Sequence, residues 1–112
     1  MSATFQLAAG GLGVMPDPGD NPDNHEVPHH DAGTRISFEV RNIGDAGGNA
    51  RVGTEVDDTF VTEWQSQYLD PGQGEVGYVS LGRLSQGQHT ALAYVNPGAG
   101  QADHAENTFD VE

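Results

Sequence analysis

The segment His25-Glu26-Val27-Pro28-His29 reads H-E-x-x-H. On an α-helix this spacing sets two imidazoles on one face, where both reach one zinc ion, and places a glutamate beside them as general base for peptide hydrolysis. Pro28 stands directly before the second histidine. In a helix interior proline lacks the N–H donor, clashes with the preceding turn and costs about 3 kcal/mol. It also drives Val27 toward extended geometry. In a first turn Pro28 would be tolerated, but His25 would then fall outside the helix and the two rings would diverge. The flanking NPDN and HDAG are loop sequence. No catalytic residue is assigned on this basis, and an enzyme is not expected.

The same residues suit a site without catalysis. His25, His29, His30 and Asp31 lie close together, with Asp20 and Asp23 just upstream. Imidazoles and a carboxylate together hold Zn²⁺ or a similar ion. Alternatively, Asp17, Asp20, Asp23 and Asn24 offer oxygens to Ca²⁺, although their spacing is not that of an EF-hand loop. The plainer reading is a solvated loop whose histidines titrate near their ordinary value of about 6.5. No cofactor is required by the sequence, and a zinc or calcium ion is the candidate where one binds. Other catalytic patterns fail. Gly11-Leu12-Gly13 begins like a dinucleotide fingerprint, but Pro16 stands where the third glycine belongs. No Gly-x-Ser-x-Gly elbow occurs. Asp57-Asp58 reads as a solvated pair beside a turn.

The elements that must position these residues are short strands. The chain has 112 residues with 16 Gly, 6 Pro and no Cys. Its length fits one domain spanning 1–112, able to bury about two thirds of its unfolded surface. The absence of cysteine removes disulfides, thiolate ligands and thiol catalysis. Residues 34–41 alternate strictly, with Ile36, Phe38 and Val40 pointing one way and Arg35, Ser37, Glu39 and Arg41 the other. Residues 49–57 repeat the pattern with Ala50, Val52, Thr54 and Val56 inward. Residues 4–8, 60–69, 75–81, 88–95 and 108–111 complete seven strands, with Val76 and Tyr78 as the inner pair of the fifth. A helix around residues 63–69 is the minor alternative. Turns fall at residues 42–48, at Asp70-Pro71-Gly72 and at residues 96–100. Seven strands without a helical period predict an all-β, antiparallel β-sandwich. A Pro-, Asp- and His-rich loop spans about 15–33.

On these strands the chain resembles CARDB domains, the cell-adhesion-related, immunoglobulin-like modules of bacteria and archaea. The residues that carry the resemblance are ISFEVRNIG at 36–44, LDPGQ at 69–73, GQHTALAYVN at 87–96 and AENTFDV at 105–111. The sequence departs from the family at Asn96, where Asp is frequent, and at Asn107, which is often doubled; the loop at 15–33 resembles an insertion. The resemblance implies a seven-stranded immunoglobulin-like sandwich used for adhesion, spacing or display, with no catalytic residues. It also places the first loop at the same end as the turn before His89. His89 thereby becomes either a further metal ligand or a structural histidine tying a corner to the backbone.

Charge and surface set the expected partners. Seventeen acids face four arginines and no lysine, a net charge of −13. Such a surface repels nucleic acid and anionic lipid, and its acidic strands discourage edge-to-edge aggregation. The acidity fits either simple solubility or life in high salt. A melting midpoint that rises from low to molar NaCl marks the second, and one that does not rise excludes it. No apolar run reaches the ~20 residues of a membrane span, and the N-terminal MSATFQLAAGGLGV lacks the basic stretch of a signal peptide. If His89, Ala91, Ala93 and Val95 face the core, Leu92 and Tyr94 form an outward contact row, whereas the opposite register buries them; Trp64, Tyr68 and Phe60 are a second aromatic candidate. The expectation is a structural or interaction module on an extracellular surface, cell envelope, appendage or virion exterior, meeting a protein partner or copies of itself. The alternative is an accessory module that binds metal or glycan through the Asp/His loop.

Overall fold

The structure, a computed structural model, describes residues 3–7, 12–95 and 103–112. Eight strands run in order: β1 (Phe5–Leu7), β2 (Gly13–Pro16), β3 (Gly33–Asn42), β4 (Gly48–Val56), β5 (Thr59–Leu69), β6 (Gly74–Arg83), β7 (Gly87–Val95) and β8 (His104–Val111). Every pairing is antiparallel. In the first sheet β3 is central, with β6 on one side. β1 and β2 share its other side in tandem, β1 against residues 40–42 and β2 against residues 34–37. The second sheet has the order β5-β4-β7-β8. The β4–β5 register shifts twice, near Asn49/Arg51 and Thr54/Glu55.

The alternation of β3 explains how the sheets meet. Ile36, Phe38 and Val40 are buried on the inner face. Opposite them the second sheet offers mostly small residues, Ala50, Val52, Ala91, Ala93 and Val95, all without solvent exposure. Each fully buried aliphatic side chain contributes about 1.5–3 kcal/mol relative to exposure. One corner is sealed by a polar group. Asn42 is fully buried. Its Nδ2 donates to the carbonyls of Ala46 at 2.8 Å and Leu69 at 3.0 Å, while its Oδ1 accepts from the Thr4 and Gly44 N–H groups. The Asn-x-Gly signature of residues 42–44 is therefore a hub that satisfies the backbone of three segments.

Two expectations change, and the minor helical alternative falls away. β2 is an eighth strand, so the long loop shortens to residues 17–32. Residues 63–69 extend β5 and form no helix. In β6, Val76 and Tyr78 point outward, 48% and 51% exposed, and Gly77 and Val79 point inward. The cause lies across the sandwich. The Phe38 and Trp64 rings meet edge to face at 5.1 Å, and a Cβ on Gly77 would stand 2.6 Å from Phe38 and 2.7 Å from Trp64. Two neighbouring rings fill the space where Gly77 has no side chain. The turn expected at residues 96–100, and Ala8 at the end of the expected first strand, lie outside the described residues.

Candidate functional site

The 17–32 loop is tied down along its length. At its start the Asp17 N–H donates to the Gly33 carbonyl and the Gly33 N–H to the Asp20 carbonyl, both at 2.8 Å. The Arg83 guanidinium grips both oxygens of Asp20 at 2.8 and 2.9 Å. That hydrogen-bonded contact holds the Asp20 carboxyl below its ordinary range. In the middle, the Asn21 side chain clamps the His25 backbone, donating to its carbonyl and accepting from its N–H, each at 2.9 Å. At its end, the His30 N–H donates to the Glu112 carbonyl at 2.8 Å and the Glu112 N–H returns to Pro28 at 2.9 Å. The last residue beyond β8 thus pairs with the loop.

This frame collects the histidines without a helix. Residues 25–29 are irregular, as Pro28 requires. The expected divergence of the rings does not follow, however. His25 and His29 stack with centroids 3.8 Å apart and planes within 5°, and His29 stacks on His30 at 4.5 Å. The Asn21 clamp achieves what a helix would otherwise have done. His29, His30 and Asp31 bring one ligand atom each to within 4.8 Å of one another, and among the described residues they are the group able to hold a metal ion. His25 joins them through its stack, and its Nε2 is buried with no hydrogen-bond partner. His29 Nδ1 accepts the Asp31 N–H at 3.0 Å. The alternative oxygen set loses Asp20 to Arg83, and Asp17 Oδ1 accepts the Gly19 N–H at 2.9 Å. Asp17, Asp20 and Asp23 form no such group among the described residues.

His89 is not part of this cluster. Its Nδ1 meets Asp57 Oδ2 at 2.5 Å, and its Nε2 meets the Ser85 carbonyl at 2.7 Å. The side chain is 11% exposed. A carbonyl only accepts, so Nε2 carries a proton, and a second proton must lie between Nδ1 and the carboxylate. The Asp57 hydrogen bond accordingly raises the His89 pKa, against a smaller opposing effect of burial. The same bond, together with the Thr90 N–H, lowers that of Asp57. Asp57 and Asp58 form the β4–β5 turn with φ of 50° and 65°. Asp57 is half-exposed, as expected beside a turn, yet it is not simply solvated: it joins this hairpin to β7 and to the turn before it. The missed signal was the residue type, since aspartate tolerates positive φ and so can be placed at a tight turn facing a neighbouring strand.

The expected contact residues divide. Ala91, Ala93 and Val95 face the core, so Leu92 and Tyr94 do point outward from β7. Leu92 is half-buried, and Tyr94 is 6% exposed. Tyr94 lies across Gly53, where an added Cβ would stand 2.5 Å from its ring. Burial, and then the Glu55 carboxylate, raise the pKa of its phenol. Trp64 is half-buried against Phe38 and the core. Phe60 and Tyr68, which the sequence groups with Trp64 as aromatic candidates, are exposed, as are Val76 and Tyr78.

No protein-family model and no curated protein matches the sequence. Solved structures do match its fold. A β-glucosidase from Erythrobacter marinus superposes with a TM-score of 0.71 at 16% identity, over 98% of this chain and 16% of that one. A GH2 β-galacturonidase from Eisenbergiella tayi gives 0.65 at 11% identity, over 95% of this chain and 18% of that one. The chain therefore spans less than a fifth of either enzyme, and these likenesses concern the fold alone. A CARDB domain from Pyrococcus furiosus, solved in complex with di-metal ions, gives 0.62 at 16% identity over 99% of this chain and 86% of that one. Two antiparallel sheets and this whole-domain correspondence make the fold of the chain a CARDB-like, immunoglobulin-like β-sandwich.

Proposed function

We propose that this small β-sandwich is a non-catalytic interaction module, displayed on a cell envelope, an appendage or a virion exterior, and that it meets a protein partner or further copies of itself. The observation that carries the reading is the correspondence of a whole domain with a whole domain, 99% of this chain against 86% of the CARDB domain. The surface supports it. On the outer face of the first sheet Val76 and Tyr78 are about half exposed, and the Arg35 guanidinium sits 4.3 Å over the Tyr78 ring. Stacked Arg and Tyr are residue types enriched at protein interfaces. Arg35, Glu39 and Arg41 alternate onto this same face, with Arg41 paired to Glu39 at 3.6 Å, so it carries charges of both signs beside the exposed apolar groups.

Sedimentation velocity of the chain and of Tyr78→Ser from about 10 to 500 μM, with antibody labelling of intact cells or virions, tests the reading. Association weakened by the substitution, together with labelling of the intact surface, supports it. A chain that stays monomeric and unlabelled on intact surfaces overturns it.

A second reading, an accessory module that binds metal or glycan through the Asp/His loop, has one observation in its favour, the convergence of His29, His30 and Asp31. The Pyrococcus domain with its di-metal ions is in keeping with the metal version. For the glycan version, Trp64 is half-buried against Phe38 and offers only part of its ring.

A further inference from the structure

We infer that His30 Nε2 and Asp31 Oδ1 form the primary ligand pair of a site for a borderline divalent cation of the Zn²⁺ class, completed by His29. The inference rests on the metal version of the second reading and is independent of surface display. The argument begins with a proton. His30 Nδ1 lies 2.8 Å from the Glu112 carbonyl oxygen. That oxygen only accepts, so Nδ1 carries the hydrogen, and the neutral ring has its lone pair on Nε2. This lone pair stands 3.3 Å from the Asp31 carboxylate. A cation placed between these two electron pairs would be attracted by both.

A proton and a metal ion call for different separations. A charge-assisted hydrogen bond between imidazolium and carboxylate closes to about 2.7–2.9 Å. Ligands about 2.0–2.1 Å from a tetrahedral zinc stand about 3.3 Å apart. The 3.3 Å separation fits the second. A backbone carbonyl on the far nitrogen is also the usual support of a metal-bound imidazole, because it fixes the tautomer and orients the ring. His29 lies stacked on His30 at 4.5 Å. Its Nδ1 accepts the Asp31 N–H and sits 3.9 Å from Asp31 Oδ2; it becomes the third ligand by giving up that N–H bond. His25 backs His29 at 3.8 Å, holding its plane. Neutral imidazoles and a carboxylate favour zinc over calcium or magnesium, and the anchored loop lowers the ordering cost of binding.

Calorimetric titration of the chain with zinc chloride at pH 7.2 tests the site, against His30→Ala, Asp31→Asn and His89→Ala. The expected result is one ion per chain, at least tenfold weaker binding for His30→Ala and Asp31→Asn, and unchanged binding for His89→Ala. Nitrogen-15 spectra should place the zinc-induced shift on His30 Nε2, a readout that a change in loop stability would not imitate. No zinc heat in the native chain, equal affinities for all four proteins, or a zinc-induced shift confined to other nitrogens overturns the assignment. Association in the sedimentation experiment is read separately, so either proposal can fail without the other.

Discussion

His89–Asp57 and His30–Asp31 are the same two residue types at one end of one sandwich, and they are set differently. In both, one ring nitrogen faces a backbone carbonyl and the other a carboxylate. The first pair closes to 2.5 Å on a side chain 11% exposed; the second stands at 3.3 Å with His30 45% exposed. A proton fills the first gap, and the second is wide enough for a larger ion. His89 is thereby a structural clasp between hairpin and strand, whereas His30 keeps a lone pair available for a ligand. Distance, with composition held constant, separates a fastening from a site.

The contrast is sharpest with zinc. At one hundred times its dissociation constant, an ion bound only by the folded chain adds about 2.7 kcal/mol, a rise of roughly ten degrees or more in melting midpoint for a domain of this size. The native chain and His89→Ala should both show that rise, and His30→Ala should not. Next in size is the clasp itself. Asp57→Asn keeps a residue that tolerates the turn and removes the charge; it should cost about 1 kcal/mol at pH 6 by denaturant melting, a modest figure because the carboxylate is half exposed. If it costs nothing, the clasp is ornamental and the comparison breaks.

The pH profile follows with a definite sign. The His89 pKa is raised in the fold above 6.5, so its contribution is complete below that ordinary value and fades as pH climbs through the folded one. The Asp57 pKa is lowered below 3.8, so its contribution is complete above that value and fades as pH falls through the folded one. The clasp is therefore strongest between about pH 4 and 6.5, and unfolding followed from pH 5 to 9 should show a loss that Asp57→Asn lacks. The smallest effect belongs to His30→Ala without metal. A half-exposed side chain whose hydrogen bond to Glu112 is itself solvent-exposed should change stability by no more than about 0.5 kcal/mol.

Much of this was legible because alternation is a strong signal. β3 and β4 follow directly from Ile36, Phe38, Val40, Ala50 and Val52. β2 did not, because Gly13–Pro16 has little pattern of its own and exists by pairing with an open edge of β3. Val76 and Tyr78 face outward against expectation, since nothing local reveals that Phe38 and Trp64 occupy the space beside Gly77. At the site, the adjacency of His29, His30 and Asp31 was in the sequence. The stack of His25 on His29 depended on the Asn21 clamp, and the tautomer of His30 on the distant Glu112 carbonyl, both products of tertiary structure.

The two slips of register along β5 bear on what happens in concentrated brine. In molar salt the field of each charge dies within about 3 Å, so seventeen carboxylates no longer hold neighbouring copies at arm's length. An open flank with evenly spaced donors and acceptors would then invite endless ribbons. The bulges break that rhythm, so the shape of this edge still disfavours strand-to-strand pairing where charge no longer does.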